Sequence, residues 1–182
     1  SNNLLLGDTS FETGIHPIVT GALRWGELPF NYAEIDKTTA VDGKQSLKLP
    51  ISNIVNTMSF GCPIALASGE TYTFSFCAKS QKAGKGIIKF QALDWQDVKM
   101  KGLALSPEWK RYSITIKAKQ KFYFPILSSC GTEAVWIDCL QLEKGEKSTP
   151  YQNGEPVTVN INFEGGSKRI FLSGEKIKAQ LV

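Results

Sequence analysis

One histidine, four cysteines and a few closely spaced carboxylates are the groups in this 182-residue chain that could do chemistry. His16 stands directly before Pro17, in a dipeptide that reads as a loop or surface turn. No G-x-S-x-G elbow, H-E-x-x-H helix or phosphate-binding loop occurs. Cys62, Cys77, Cys130 and Cys139 form no C-x-x-C pair, which argues against a zinc site or a thioredoxin-type motif. Nothing around any of them marks an activated thiolate. Asp94 and Asp97 are near neighbours, and two carboxylates flanking a cleft can cleave a glycosidic bond. Both fall at a strand end, however, where a turn is the plain explanation, and Asp97 with Lys99 and Lys101 reads as a solvated loop. The residue inventory argues against catalysis.

The elements around these residues alternate with period two, the signature of strands. Ser46–Leu49 reads as a short strand. In Tyr72–Lys79 (YTFSFCAK), Tyr72, Phe74 and Phe76 share one face and Thr73, Ser75 and Cys77 the other. Further strands are expected over Ile87–Trp95, Trp109–Ala118, Phe122–Leu127 and Val135–Leu142, with turns at Ser68-Gly69, Gly84–Gly86, Ser106-Pro107 and Cys130-Gly131. Aromatic and β-branched residues fill the runs, and no segment carries a helical apolar stripe. Many short strands separated by Gly and Pro turns predict an all-β sandwich or barrel. Cys77 and Cys139 each sit inside a strand; if those strands are neighbours the two can face each other, as a disulfide or as buried free thiols.

Composition bounds the partners. The chain is 42% hydrophobic and 21% charged, with a formal charge of +4. No apolar run is long enough to cross a bilayer. Lysines concentrate between Lys79 and Lys121, but they alternate with apolar residues or sit in turns, which reads as a solvated face and not as a nucleic-acid surface. Lys147–Pro156 (KSTPYQNGEP) is a turn-rich linker. Beyond it, Val157–Phe163 and Arg169–Val182 read as a C-terminal β tail from a following unit, too few strands to bury a core alone. The expected division is a main domain over 1–151 and a linker with a second, truncated or packed β unit over 152–182.

The order of several segments goes further: NLLLGDTSFETG over 3–14, Trp25 in a polar stretch, DGKQSLKL over 42–49, YTFSFCAKS, Trp109 leading a strand, then VWIDCLQLEKG followed by TPY. This series, over Asn3 to Tyr151, resembles the jelly-roll carbohydrate-binding modules of families 4, 9 and 22, in the galactose-binding-like superfamily. The resemblance implies a jelly-roll β-sandwich of two antiparallel sheets. It also implies a non-catalytic module of a secreted, multidomain bacterial protein that binds a poly- or oligosaccharide beside neighbouring domains. Many superfamily members are instead structural spacers that brace a neighbouring catalytic or surface domain, so that alternative stands beside sugar binding.

The same resemblance implies a structural Ca2+ tying the N-terminal segment to the last strand. Glu12 and Asp138 match the carboxylate ligands and the carbonyl of Lys48 a third, with Asp8 a looser candidate. Calcium takes several hard oxygen ligands. Asp138 shares its strand parity with Trp136, Leu140 and Leu142, so it is expected to point inward, where a carboxylate needs a partner. A salt bridge or backbone hydrogen bonds would serve as well. Cys139 stands where many members have a second acid.

Sugar recognition in such modules uses a flat aromatic face with a few polar groups, on the concave sheet or at the loop tips. In the strand from Ile87, residues Ile88, Phe90 and Ala92 read as core, and Lys89, Gln91, Leu93 and Trp95 as the other face. Gln91 and Trp95 are therefore candidate sugar contacts, together with Trp25 and with Tyr123, which alternates away from Phe122 and Phe124. Trp109 and Trp136 are expected to be structural and largely buried.

Overall fold

The structure is a computed structural model that describes residues 2–14, 19–21, 33–51, 56–60, 63–129 and 132–155. His16, Trp25, Cys62, Cys130 and the expected tail over 157–182 lie outside the described residues.

Among the described residues eleven strands follow in chain order: β1 (Val19–Gly21), β2 (Glu34–Asp36), β3 (Ser46–Leu49), β4 (Asn56–Phe60), β5 (Ile64–Ala65), β6 (Thr71–Ser80), β7 (Gly84–Ala92), β8 (Val98–Leu105), β9 (Lys110–Lys117), β10 (Phe122–Ser129) and β11 (Val135–Lys144). One sheet has the order β1-β4-β10-β7-β8, with β5 added to β10, and the other β2-β3-β11-β6-β9. Every pairing is antiparallel. The two sheets form a jelly-roll β-sandwich.

Alternation explains how they pack. Tyr72, Phe74, Phe76 and Ala78 of β6 face Ile88, Phe90 and Ala92 of β7 across the core, with Ile114 and Ile116 of β9 and Leu140 and Leu142 of β11 beside them. Phe74 meets Phe90 edge-on at 6.2 Å between centroids, and Phe90 tilts against Tyr123 at 5.6 Å, geometry that aromatic pairs prefer.

Two expectations are corrected here. Lys99 and Lys101, read with Asp97 as a solvated loop, lie in β8. It pairs with β7 along its length, yet only Leu103 and Leu105 are buried, while Val98 to Gly102 are exposed. The strand is held by its ladder more than by its side chains, which hides it from a hydrophobic pattern. Asp138 does not enter the core between the sheets. A bulge between Asp138 and Gln141 breaks the alternation of β11, so Asp138 pairs with Cys77 on the outer side while Leu140 and Leu142 turn inward.

That outer side is covered by the N-terminal segment. Asn3 donates its amide to Leu140 O (2.9 Å), Thr9 Oγ1 (3.1 Å) and Gln152 O (3.0 Å), and its Oδ1 accepts from Leu5 N and Leu142 N. Leu4 N donates to Leu142 O and Leu140 N to Thr9 O, so residues 3–9 satisfy the groups that the bulge frees. The start of the linker joins this layer: Gly7 N donates to Glu155 O, and a side chain at Gly154 would collide with Leu5 O at 2.2 Å.

Candidate functional site

Three strands of the first sheet build its outer face row by row. Register aligns Phe124 (β10) with Gln91 (β7) and Val98 (β8), then Ile126 with Lys89 and Met100, then Ser128 with Ile87 and Gly102. Partners in register share a face, so this side carries one amide, one ammonium and the Ser128 hydroxyl among apolar groups. Ile87, Val98 and Met100 are exposed, Met100 by 62%, while Phe124, Ile126 and Lys89 are half-buried. Gln91 is buried within its row, between Phe124 and Val98. Phe124, Val98 and Met100 were not singled out from the sequence. The first carries the wrong assumed parity, and the other two lie in the strand that reads as a loop.

At the end of this face the β7–β8 connection turns over residues 93–97. Trp95 N donates to Ala92 O at 3.0 Å and Gln96 N to Asp94 Oδ1 at 3.0 Å, which closes the turn. Asp94 is thus a turn former. Trp95 sits at the tip, 56% exposed, with φ of 64°. Glycine or asparagine takes that conformation readily; for a residue with a large side chain it costs about 1–2 kcal/mol.

Tyr123 is corrected from an outward sugar contact to a core residue. Phase on β10 is opposite to expectation: Tyr123 is fully buried, and Phe122 and Phe124 face out. Its hydroxyl stays satisfied at the core's edge, accepting from Lys119 N (2.8 Å) and Gln120 N (3.0 Å) and donating to Asp97 Oδ2. Burial, with the Asp97 hydrogen bond, raises its pKa above the ordinary tyrosine value. Asp97 is therefore a structural partner, with Lys119 Nζ 3.9 Å away.

The outer face of the second sheet carries a row of charges and indoles. Glu34, Lys48, Trp136 and Lys79 align across β2, β3, β11 and β6. Lys48 Nζ lies 2.8 Å from Glu34 Oε1 and 6.0 Å from the Trp136 ring. Lys79 Nζ stands 5.1 Å from the Trp136 ring and 5.8 Å from that of Trp109. Both tryptophans are half-buried on this outer face instead of largely buried, and each indole N–H is used, Trp136 to Asp36 Oδ2 (2.9 Å) and Trp109 to Thr39 Oγ1 (3.0 Å). Lys48, Pro50, Ile51, Gln81, Ala134 and Trp136 line an open hollow of about 340 Å³ at the end of this row.

The carboxylates carried over for calcium, Glu12 and Asp138, accept backbone hydrogen bonds in this structure. Amide hydrogens face the carboxylates: Asp138 Oδ2 accepts from Val41 N (2.7 Å) and Asp42 N (3.1 Å), Oδ1 from Cys139 N (2.7 Å), and Glu12 Oε1 from Lys44 N (2.8 Å) and Gln45 N (3.0 Å). Glu12 lies so close to Gly43 that a Cβ there would come within 2.2 Å of its carboxyl carbon. Lys48 is the partner of Trp136, and its side chain goes to Glu34. Asp8 accepts from Ser10 and Thr13. Among the described residues no three His, Cys, Asp or Glu side chains converge as metal ligands do. Burial raises the pKa of Asp138 and nearby Asp42 adds to it, against the pull of the three amide hydrogen bonds.

No family model matches the chain, and no curated protein sequence matches it. Solved structures do. A family 61 carbohydrate-binding module in complex with β-1,4-galactotriose aligns over 80% of this chain and 100% of its own, with a TM-score of 0.58 at 18% identity. The family 22 xylan-binding domain of Paenibacillus barcinonensis Xyn10C aligns over 81% and 99%, with a TM-score of 0.59 at 18% identity. A family 4 module aligns over 78% and 100%, with a TM-score of 0.54 at 15% identity. The chain has the jelly-roll fold that these modules share.

Proposed function

We propose that this chain is a non-catalytic carbohydrate-binding module of a secreted, multidomain bacterial protein. It holds a poly- or oligosaccharide on the outer face of the first sheet and at the tip of the β7–β8 turn. Trp95 carries the reading. An indole that stays 56% exposed at a φ of 64° meets a conformational cost that glycine or asparagine would avoid. A role in contact with a ligand accounts for keeping it. An exposed indole gives the flat apolar surface that the C–H face of a pyranose needs, while the Gln91 amide and the Lys89 ammonium offer partners to sugar hydroxyls. The fold supports the reading, because two of the similar structures are described as a xylan-binding domain and as a module bound to galactotriose.

A second reading is favoured by a different observation. Ile87, Val98 and Met100 make the same face aliphatic as well as aromatic, as a surface that braces a neighbouring domain would be. Affinity gel electrophoresis against plant, algal and host polysaccharides separates the two. Retardation by one polymer that disappears in Trp95→Ala establishes sugar binding. Unchanged mobility of the folded protein in every polymer overturns it in favour of the bracing role.

A further inference from the structure

Cys77 and Cys139 take no part in either reading. They stand on adjacent strands of the second sheet, and both are buried as free thiols. Cys77 is in register with Asp138; the bulge that follows, with Cys139 at a φ of 55°, turns the Cys139 thiol back toward it, and the two thiols are hydrogen-bonded to each other. Arg111 of β9 is the register partner of Cys77 on its other side. Its guanidinium is fixed by Ser75 Oγ (2.8 Å) and Gln141 Oε1 (3.2 Å), and its Nε is buried without a hydrogen-bond partner. Cys77 is the less deeply buried of the two, 8% exposed against 1% for Cys139, so it is the attacking sulfur and Cys139 the resolving one.

We propose that Cys77 and Cys139 form a disulfide when the protein meets a low-molecular-weight disulfide, and that this bond fastens β11 to β6 at the bulge. The Cys77 thiolate attacks one sulfur of oxidised glutathione; its S–S bond breaks and one glutathione leaves, taking up the proton that Cys77 gave. Cys139 then gives up its proton and attacks the Cys77 sulfur of the mixed disulfide, and the second glutathione departs with that proton. Two protein thiols are oxidised and one glutathione disulfide is reduced to two thiols. The hydrogen bond already holds the two thiols side by side, and oxidation closes the sulfurs to a bond length of about 2.05 Å.

The bond itself is tested on the unsubstituted chain. The reduced chain is incubated with oxidised glutathione, unfolded in alkylating agent, digested and analysed by mass spectrometry. The expected product is the Cys77 peptide joined to the Cys139 peptide with loss of two hydrogens. Full alkylation of both cysteines overturns the proposal, as does a stable glutathione adduct on Cys77 alone or a bond from either to Cys62 or Cys130. Oxidation is expected to raise Tm by roughly 5–10 °C. The Cys77→Ala/Cys139→Ala variant is expected to melt identically with and without oxidant. A linked product with unchanged Tm would overturn the fastening role while leaving the bond itself.

Discussion

Gln91 and Phe124 face each other across the pairing of β7 and β10, on the outer side of the first sheet. An amide held against a phenyl ring offers a hydroxyl partner and an apolar surface in one place. If a sugar lies along this row, Gln91→Ala removes the polar contact and Phe124→Ala the apolar one. Each is expected to weaken binding about tenfold, roughly 1.4 kcal/mol. Titration calorimetry with the polymer found by electrophoresis checks this. Affinity unchanged in both variants would confine the site to the Trp95 tip.

Asp36 accepts the indole N–H of Trp136, and its carboxyl titrates below the ordinary 3.8. Burial pushes that value up, but hydrogen bonds from Thr38 and Trp136 and the charge of Lys48 more than offset it. A carboxylate whose pKa is lower in the folded state contributes stability above its unfolded value, and loses it as pH falls through the folded value. Trp136 fluorescence is therefore expected to change with a midpoint below pH 3.8, and the transition to vanish in Asp36→Asn. A midpoint above 3.8 would contradict the assigned contacts.

Tyr123→Phe keeps the ring in the core and deletes only the hydroxyl. The amides of Lys119 and Gln120 and the Asp97 carboxylate then lose a shared partner. The expected loss is about 1–3 kcal/mol, a few degrees in Tm, with sugar binding unaffected. Thermal melts and the same electrophoresis decide; weaker binding at unchanged Tm would return Tyr123 to the ligand.

Amide hydrogens occupy the carboxylates of Glu12 and Asp138, so a chelator is expected to leave Tm unchanged relative to millimolar calcium. A drop of several degrees on chelation would mean that the loop over 41–45 rearranges around an ion. By contrast Asn3→Ala, which leaves Leu142 N and Leu140 O without their side-chain partner, is expected to cost about 1–3 kcal/mol with or without calcium. Denaturant unfolding in both buffers measures both effects.

The strands with one clean apolar face could be read directly. Tyr72–Lys79 lies within β6, and Ser46–Leu49 matches β3. Where both faces carry apolar residues, period two fixes the alternation but not its phase, and Phe122-Tyr123-Phe124 was read inverted for that reason. A bulge also defeats parity, as at Asp138, because one extra residue exchanges the two sides. Trp109 and Trp136 mark core to any hydrophobicity scale, yet their N–H groups and the ammonium of Lys79 keep them half in water. Trp95 was legible as an exposed candidate; its left-handed backbone was not, because nothing in D-W-Q announces it.

The strands that end the two sheets bear on how the protein behaves among its own copies. β8 closes one sheet with Lys99 and Lys101 on its outermost backbone, and β9 closes the other with Lys110 and Lys117, all four exposed. An unpaired strand is an invitation to another chain's strand, and like charges along it withdraw that invitation. Two such borders meeting would bring ammonium against ammonium. The lysines that look superfluous for recognition thus guard these two borders when copies of the domain are crowded on a surface or strung in series.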